Sequence, residues 1–401
     1  KDVARVLNNP FDEANGISKK FPDVLNISID DAVKASSELR EYSERGDIQK
    51  KLFTVARTLE GNVRHTGVHA AGVVIAPDPL EELVPLATIA NKSAEKGSGN
   101  ERIAVCQFDM NALTDVGLVK MDFLGLRNLT VISYCVNGIK ARGGPEINLN
   151  ELPDGDPKAY SLLQRGDVKG VFQLESSPGM REFVLRLKPE RFEDIVALIA
   201  LFRPGPLQAG MADSFINRKT GREQVVYPHK NLEDVLSDTY GVIVYQEQVM
   251  QISRVIGGFS PAEADALRKA MGKKIHDKMA AMRVKFIEGA KKQEYDGQFA
   301  ADLYDQMAQF ASYGFNKSHS AAYAYIVYQT AFLKANYPTD YMMAVLNSEK
   351  DKTERLVPYI NDCRSMGIQI LGPDINESQN SFSYEKEGVI RFGLGAVKNV
   401  G

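Results

Sequence analysis

The pattern of apolar and polar positions changes character twice along the chain. Residues 1–60 have helical texture. The stretch 31–44 is predicted as a helix, with Ser28 as N-cap and Gly46 as its stop, and 47–60 repeats that grammar up to Gly61. Three short β-rich runs separated by turn signals follow: AGVVIAP (71–77), RIAVCQF (102–108) and VGLVKMDF (116–123). From 128 to 360 the texture is again helical, with predicted pieces at 192–202, 246–256, 261–271, 276–292, 298–312, 318–336 and 352–366. The end, SFSYEKEGVIRFGLGAV, reads as a β-hairpin around Glu387-Gly388. The expectation is an α+β fold, predominantly helical. A small helical unit comes first, then a small incomplete sheet, then a large helical domain. Strands this short do not make a sheet that stands alone, so partner strands are expected elsewhere.

Composition changes this picture little. The 401 residues are enough for two or three domains, and the 44% hydrophobic and 25% charged fractions are those of an ordinary globular protein. There is no run of about 18 apolar residues, so no membrane span is predicted. The start, KDVARVLNNP, carries no apolar signal region. The three cysteines form no C-x-x-C, which points away from a zinc ribbon or a disulfide framework and toward a reducing, cytoplasmic setting. The net charge of −3 does not suggest nucleic acid, but residues 261–295 hold nine Lys/Arg against five Asp/Glu. That excess is either a solvated helix face or a surface for a polyanion. The stretch 91–100, NKSAEKGSGN, reads as a surface loop.

Four places carry candidate chemistry. On a strand at 116–123, Val119, Met121 and Phe123 share one face, and Leu118, Lys120 and Asp122 the other. Lys120 and Asp122 are then either a surface ion pair or a metal-ligand carboxylate beside a phosphate-binding lysine. A two-ion site needs several carboxylates. The chain's one Asp-x-Asp, Asp154-Gly155-Asp156, lies between prolines and reads as a turn with Asp156 capping a helix at 157–164. Ser260-Pro261-Ala262-Glu263 is a capping box that starts a helix ending in Arg268, Lys269, Lys273 and Lys274. Those four cations either complement the helix dipole or bind a triphosphate or DNA backbone. Asn316, Lys317, Ser318 and His319 precede an Ala/Tyr-rich helix, with Ser318 as candidate N-cap and a phosphate expected at the helix start. Tyr323 and Tyr325 either stack on bases or belong to the core. Pro204-Gly205-Pro206 fixes a turn that presents Arg203 rigidly. His65 and His69 flank a glycine outside any helix and make a poor zinc pair.

Seven stretches, HAAGVVIAP (69–77), GLVKMDFLGLRNL (117–129), GVFQLES (170–176), ALFRPGPLQ (200–208), YGVIVYQEQVMQI (240–252), LRKAMGKK (267–274) and FNKSHSAAYAYIVYQT (315–330), make nearly the whole chain resemble the family C replicative DNA polymerases of bacteria. The resemblance implies an internal piece of a longer chain. It assigns 1–75 to a thumb, 76–127 to the returning part of a palm related to polymerase-beta-like nucleotidyltransferases, and 128–401 to fingers. It implies template-directed transfer from a dNTP to a primer 3′-hydroxyl, with two Mg²⁺ ions. Asp122 falls on the family's third catalytic aspartate and Lys120 on the lysine just before it. Arg203, Arg268, Lys269, Lys273, Lys274, Asn316, Lys317 and His319 fall on positions expected to bind nucleotide, phosphate or template. The family's paired aspartates and its Gly-Ser nucleotide segment are expected upstream. The clamp-binding region, the OB domain and the helix-hairpin-helix are expected beyond residue 401. Implied partners are primer–template DNA and, for the intact protein, a sliding clamp, a clamp-loader subunit and a proofreading exonuclease, with no membrane. The chain alone is expected to be inactive, and the alternative for it is a non-catalytic DNA- or nucleotide-binding module.

Overall fold

The structure, a computed structural model, describes residues 1–401 apart from 23–26, 64–66, 91–101, 274, 312 and 399–401. It divides into two compact units, Lys1–Leu124 and Gly125–Gly401. The architecture is mostly helical with small sheets, as the patterning implied. The expected loop at 91–100 and His65 lie outside the described residues.

In the first unit, Ser28 does cap a helix: its hydroxyl accepts from the Asp31 N–H at 3.0 Å. The single helix expected over 31–44 is two, Ile29–Ala35 and Ser37–Glu44. Ser36 leaves helical geometry (φ −115°, ψ 116°) and its hydroxyl caps the second helix through Leu39 N–H at 3.3 Å. Serine competes for backbone groups in this way, which makes it a poor interior residue and a good cap. Helix Asp47–Leu59 follows, and Ala4, Tyr42, Leu52 and Phe53 form a small core.

Four strands follow in two antiparallel pairs: β1 (Gly72–Ile75) with β4 (Val119–Asp122), and β2 (Leu86–Ala90) with β3 (Arg102–Cys106). The β1–β4 register sets Gly72 opposite Asp122, Val73 opposite Met121, Val74 opposite Lys120 and Ile75 opposite Val119. The predicted alternation holds. Val73, Ile75, Val119, Met121 and Phe123 are exposed, whereas Leu118 is buried with Val84 and Leu113, and Val74 packs against them.

The second unit carries three apolar clusters. One surrounds helices Phe192–Leu201 and Lys317–Asn336. In the first of these, residues 194–201 are buried without a break, because a helix apolar on all sides must be enclosed. A second cluster joins helices Gln246–Val255, Pro261–Gly272, His276–Lys292 and Gly297–Ala311. There the backbones of Gly257 and Gly289 approach so closely that a Cβ on Gly289 would lie 1.9 Å from the Gly257 carbonyl oxygen. The third cluster joins Arg127–Ala141 and Pro338–Glu349. Near the end, the expected hairpin forms from β6 (Ser383–Lys386) and β7 (Val389–Arg391), with Gly388 at φ +75°. A strand not anticipated, β5 (Gln369–Leu371), runs parallel to β7.

Candidate functional site

The first candidate lies on β4. Lys120 and Asp122 share a strand face, and the ammonium stands 2.5 Å from Asp122 Oδ1. His69 Nδ1 is 3.6 Å from the same oxygen. The hydrogen bond from Lys120 holds the Asp122 carboxyl below its usual range, so the group is an anion at neutral pH. Gly72 faces it across the strand pair. A Cβ there would lie 2.7 Å from Lys120 Cε, 2.9 Å from His69 Nδ1 and 3.0 Å from Asp122 Oδ1, so the absent side chain makes room for all three groups.

A hard divalent ion takes oxygen donors, usually several carboxylates. Asp122 is such a donor, half exposed and already anionic. Among the described residues no three or more His, Cys, Asp and Glu side chains cluster to hold an ion. The residues present therefore fit one part of an ion site and not a whole one. Asp156 adds nothing to it. Its carboxylate accepts from Ala159 N–H at 2.7 Å and caps helix Pro157–Gln164, as the turn reading required.

The second candidate lies in the other unit, where long-range contacts gather residues from three distant stretches. Phe315 forms a parallel bridge with Tyr245. Gln246 N–H donates to Phe315 O at 2.9 Å and Phe315 N–H to Val244 O at 3.1 Å. Around this bridge lie Arg203, Arg268, Asn316, Lys317 and His319.

Arg203 sits at the N-cap of helix Pro204–Gln208, so the Pro-Gly-Pro segment is a helical turn. Its guanidinium donates to Ala200 O at 2.8 Å and Tyr313 O at 2.7 Å and lies 4.3 Å from the centre of the Phe315 ring. Burial lowers its pKa from the ordinary value. These contacts tie Arg203 down, and two of its donors are spent on backbone carbonyls. The Phe315 ring meets His319 edge-on at 5.2 Å, and His319 stacks on Tyr323 at 4.3 Å. Tyr325 is tied down, its hydroxyl donating to Leu149 O at 2.7 Å.

The helix after Asn316 starts one residue earlier than expected. Its N-cap is Asn316, whose side-chain oxygen accepts from His319 N–H at 2.8 Å, and Ser318 lies inside the first turn. Asn316 is as good a cap as serine, and sequence spacing alone did not separate them. Lys317 lies over the Tyr245 ring at 5.4 Å and 3.6 Å from Asp238.

The basic cluster on helix Pro261–Gly272 has a built-in counterion. Asp265 accepts from Arg268 Nε and Nη2 at 3.0 and 2.7 Å, and its other oxygen stands 2.7 Å from Lys269 Nζ. Lys269 first, then Arg268, holds the Asp265 carboxyl below its usual range. Arg268 Nη1 also donates to Gln246 Oε1 at 3.3 Å, and Gln246 Nε2 donates to Gly314 O at 3.2 Å. This amide therefore joins the cluster to the Phe315 segment. Lys273 is the exposed C-cap of that helix, and Lys274 lies outside the described residues.

Sequence reasoning missed Asp265, Gln246, Glu247 and Gly72. Asp265 was findable: it precedes Arg268 and Lys269 by three and four residues on a predicted helix, the spacing at which side chains meet. The other three act on partners between 22 and 70 residues away, and no local pattern announces them.

Comparison with known proteins gives the same answer from both units. The bacterial DNA polymerase III alpha NTPase domain model matches residues 1–125, and the bacterial DNA polymerase III alpha subunit finger domain model matches 128–294. A helix-hairpin-helix motif model matches 367–401. That motif was expected beyond residue 401, so its start moves into the chain, over the segment that holds β5, β6 and β7. All of the chain aligns with the DNA polymerase III subunit alpha of Aquifex aeolicus at 47% identity, covering 36% of that protein. It aligns in full with those of Escherichia coli K12 and Campylobacter jejuni at 45%, covering 34% and 33% of them. The chain thus belongs to the bacterial DNA polymerase III alpha subunit family and spans about a third of the length of its curated relatives.

Proposed function

We propose that the full-length protein is a replicative DNA-directed DNA polymerase, and that this chain contributes part of its catalytic core. The observation that carries this reading is the identity of 45–47% along the entire chain to DNA polymerase III alpha subunits. Substrates are primer–template DNA and a dNTP. The reaction is attack of the primer 3′-hydroxyl on the α-phosphate, with pyrophosphate leaving. Bound divalent ions, Mg²⁺ in this proposal, would lower the barrier by stabilising charge on the attacking and leaving oxygens. Asp122 is the carboxylate this chain would offer to hold one. Lys120, paired with Asp122 on the same strand face, would contact a phosphate oxygen in its turn. In the second unit, Arg268 and Lys269 would hold the triphosphate, and Lys317 and His319 would meet nucleotide or template. Residues 1–75, 76–127 and 128–401 would act as thumb, returning palm and fingers. The replicase partners would be a sliding clamp, a clamp loader and an exonuclease.

The test is Asp122→Asn in the full-length polymerase. Incorporation should fall by about 100-fold or more, as removal of a positioned transition-state charge does. Primer–template affinity should stay nearly constant, because it rests on many phosphate contacts elsewhere. A variant retaining more than about a tenth of wild-type turnover would sink the role of Asp122.

For the chain by itself the reading is a DNA- or nucleotide-binding module without turnover. What favours it is the fate of its one Asp-x-Asp, whose Asp156 is spent on a helix cap. The 401-residue chain with Mg²⁺ and primed template should give no template-dependent incorporation. A rate near that of the full-length enzyme would overturn this.

A further inference from the structure

We propose that Glu247 is a positioning residue for nucleotide binding, setting the 316–319 turn through a two-point carboxylate clamp. The proposal rests on the reading of that turn as part of the nucleotide site.

Glu247 lies in the first turn of helix Gln246–Val255. Its Oε1 accepts from Asn316 Nδ2 at 3.0 Å, and its Oε2 accepts from the Lys317 N–H at 3.0 Å. Both donors belong to the start of helix Lys317–Asn336, 69 and 70 residues away. The carboxylate therefore stands at the positive ends of two helices at once, where a negative charge is favoured. Next to it, the Tyr245–Phe315 bridge and the Gln246 amide fix the main chains side by side.

This arrangement changes what each member of the turn can do. Both ends of the Asn316 amide are engaged, the oxygen with His319 N–H and the nitrogen with Glu247. Asn316 is thus a joint between two helices. The Lys317 N–H, which a phosphate at the helix start would seek, is taken by Glu247. What remains to meet a ligand is the exposed His319 ring and the Lys317 ammonium, whose Asp238 partner is 3.6 Å away. Glu247 holds the backbone from which both project.

The geometry permits a swap that separates positioning from plain stability. Glu247→Gln keeps an acceptor for Lys317 N–H but turns its second group into a donor facing the Asn316 donor. Asn316→Asp keeps the cap on His319 N–H but sets two carboxylates face to face. Together, E247Q and N316D restore every bond, with donor and acceptor exchanged only between positions 247 and 316. N316S retains a helix cap and loses only the link to Glu247.

The experiment is single-turnover incorporation by the full-length polymerase as dNTP concentration is varied, with melting temperature measured in parallel. E247Q, N316D and N316S should each raise the apparent KM for all four nucleotides by about tenfold, the usual cost of a charge-assisted hydrogen bond. Their kcat should change far less. The E247Q/N316D pair should recover a KM within about threefold of wild type. Arg268→Gln serves as a second probe of the nucleotide site, one that touches the clamp only through Gln246. If R268Q raises KM while E247Q and N316S lower only the melting temperature, Glu247 is structural and the inference fails alone. A double variant no better than its parents also overturns it. If R268Q leaves KM unchanged too, the reading of the whole turn fails with it.

Discussion

Gly72 faces Asp122 across the β1–β4 pair, and its missing side chain is what lets Lys120, His69 and Asp122 converge. Its backbone lies outside the left-handed region, so alanine is tolerated there as far as conformation goes. The nearest atom an added methyl would meet is Lys120 Cε, on a flexible side chain that can move aside. Gly72→Ala should therefore leave the melting temperature of the full-length polymerase nearly unchanged while lowering incorporation by about tenfold or more, since small displacements of positioned groups are costly to rate. Incorporation at the wild-type level would show that the Lys120–Asp122 geometry does not matter. The shared face of Lys120 and Asp122 could be read from strand alternation alone. The glycine opposite could not, because cross-strand pairing joins residues 50 apart that no local pattern connects.

Among the elements, helix Pro261–Gly272 was legible in full. Its capping box is present: Ser260 N–H donates to Glu263 Oε2 at 2.8 Å, and Glu263 N–H to Ser260 Oγ at 3.4 Å. Lys285 adds an ion pair to Glu263. The hydrogen bond from Lys285 and then those from Ser260 pull the Glu263 pKa from 4.5 down to about 2. A depressed carboxylate pKa contributes stability above the unfolded value and loses it as pH falls through the folded one. Glu263→Ala should thus melt below wild type at neutral pH, with the gap closing between pH 4.5 and about 2. A gap constant across that window would mean that the charge of Glu263 contributes nothing to the cap. Helix Pro338–Glu349 falls in the stretch 128–360 read as helical but was not picked out as a piece, for the opposite reason. It is buried on most sides, Thr339 and Asp340 included, so it shows no polar stripe opposing an apolar one. Asp340 is tolerated there because Arg142 meets it with two donors, at 2.9 and 2.8 Å. Strand β5 is three residues long and exists only because β7 pairs with it, a partner beyond any local window.

For the molecule as a whole, 49 basic and 52 acidic residues nearly balance, whereas residues 261–295 hold nine basic against five acidic. The four cations at 268–274 stood out in the sequence, but Asp265 already accompanies two of them. The gathering of Arg203, Arg268 and the 316–319 turn around one main-chain bridge was not readable, because it depends on the packing of separate helices. Asp265 also determines how binding should respond to ionic strength. Salt screens the attraction between exposed cations and an arriving polyphosphate, so affinity falls as salt is added. Cations paired with a carboxylate of the protein present a weaker net field for salt to screen. Nucleotide affinity of the full-length polymerase should therefore decline with added salt less steeply than its basic cluster suggests, and Asp265→Asn should steepen the decline. Equal slopes for the two proteins in a salt titration would show that Asp265 shields neither cation. Under the role proposed for Arg268 and Lys269, a counterion fixed in the protein would preserve the hold on a triphosphate as the ionic strength rises.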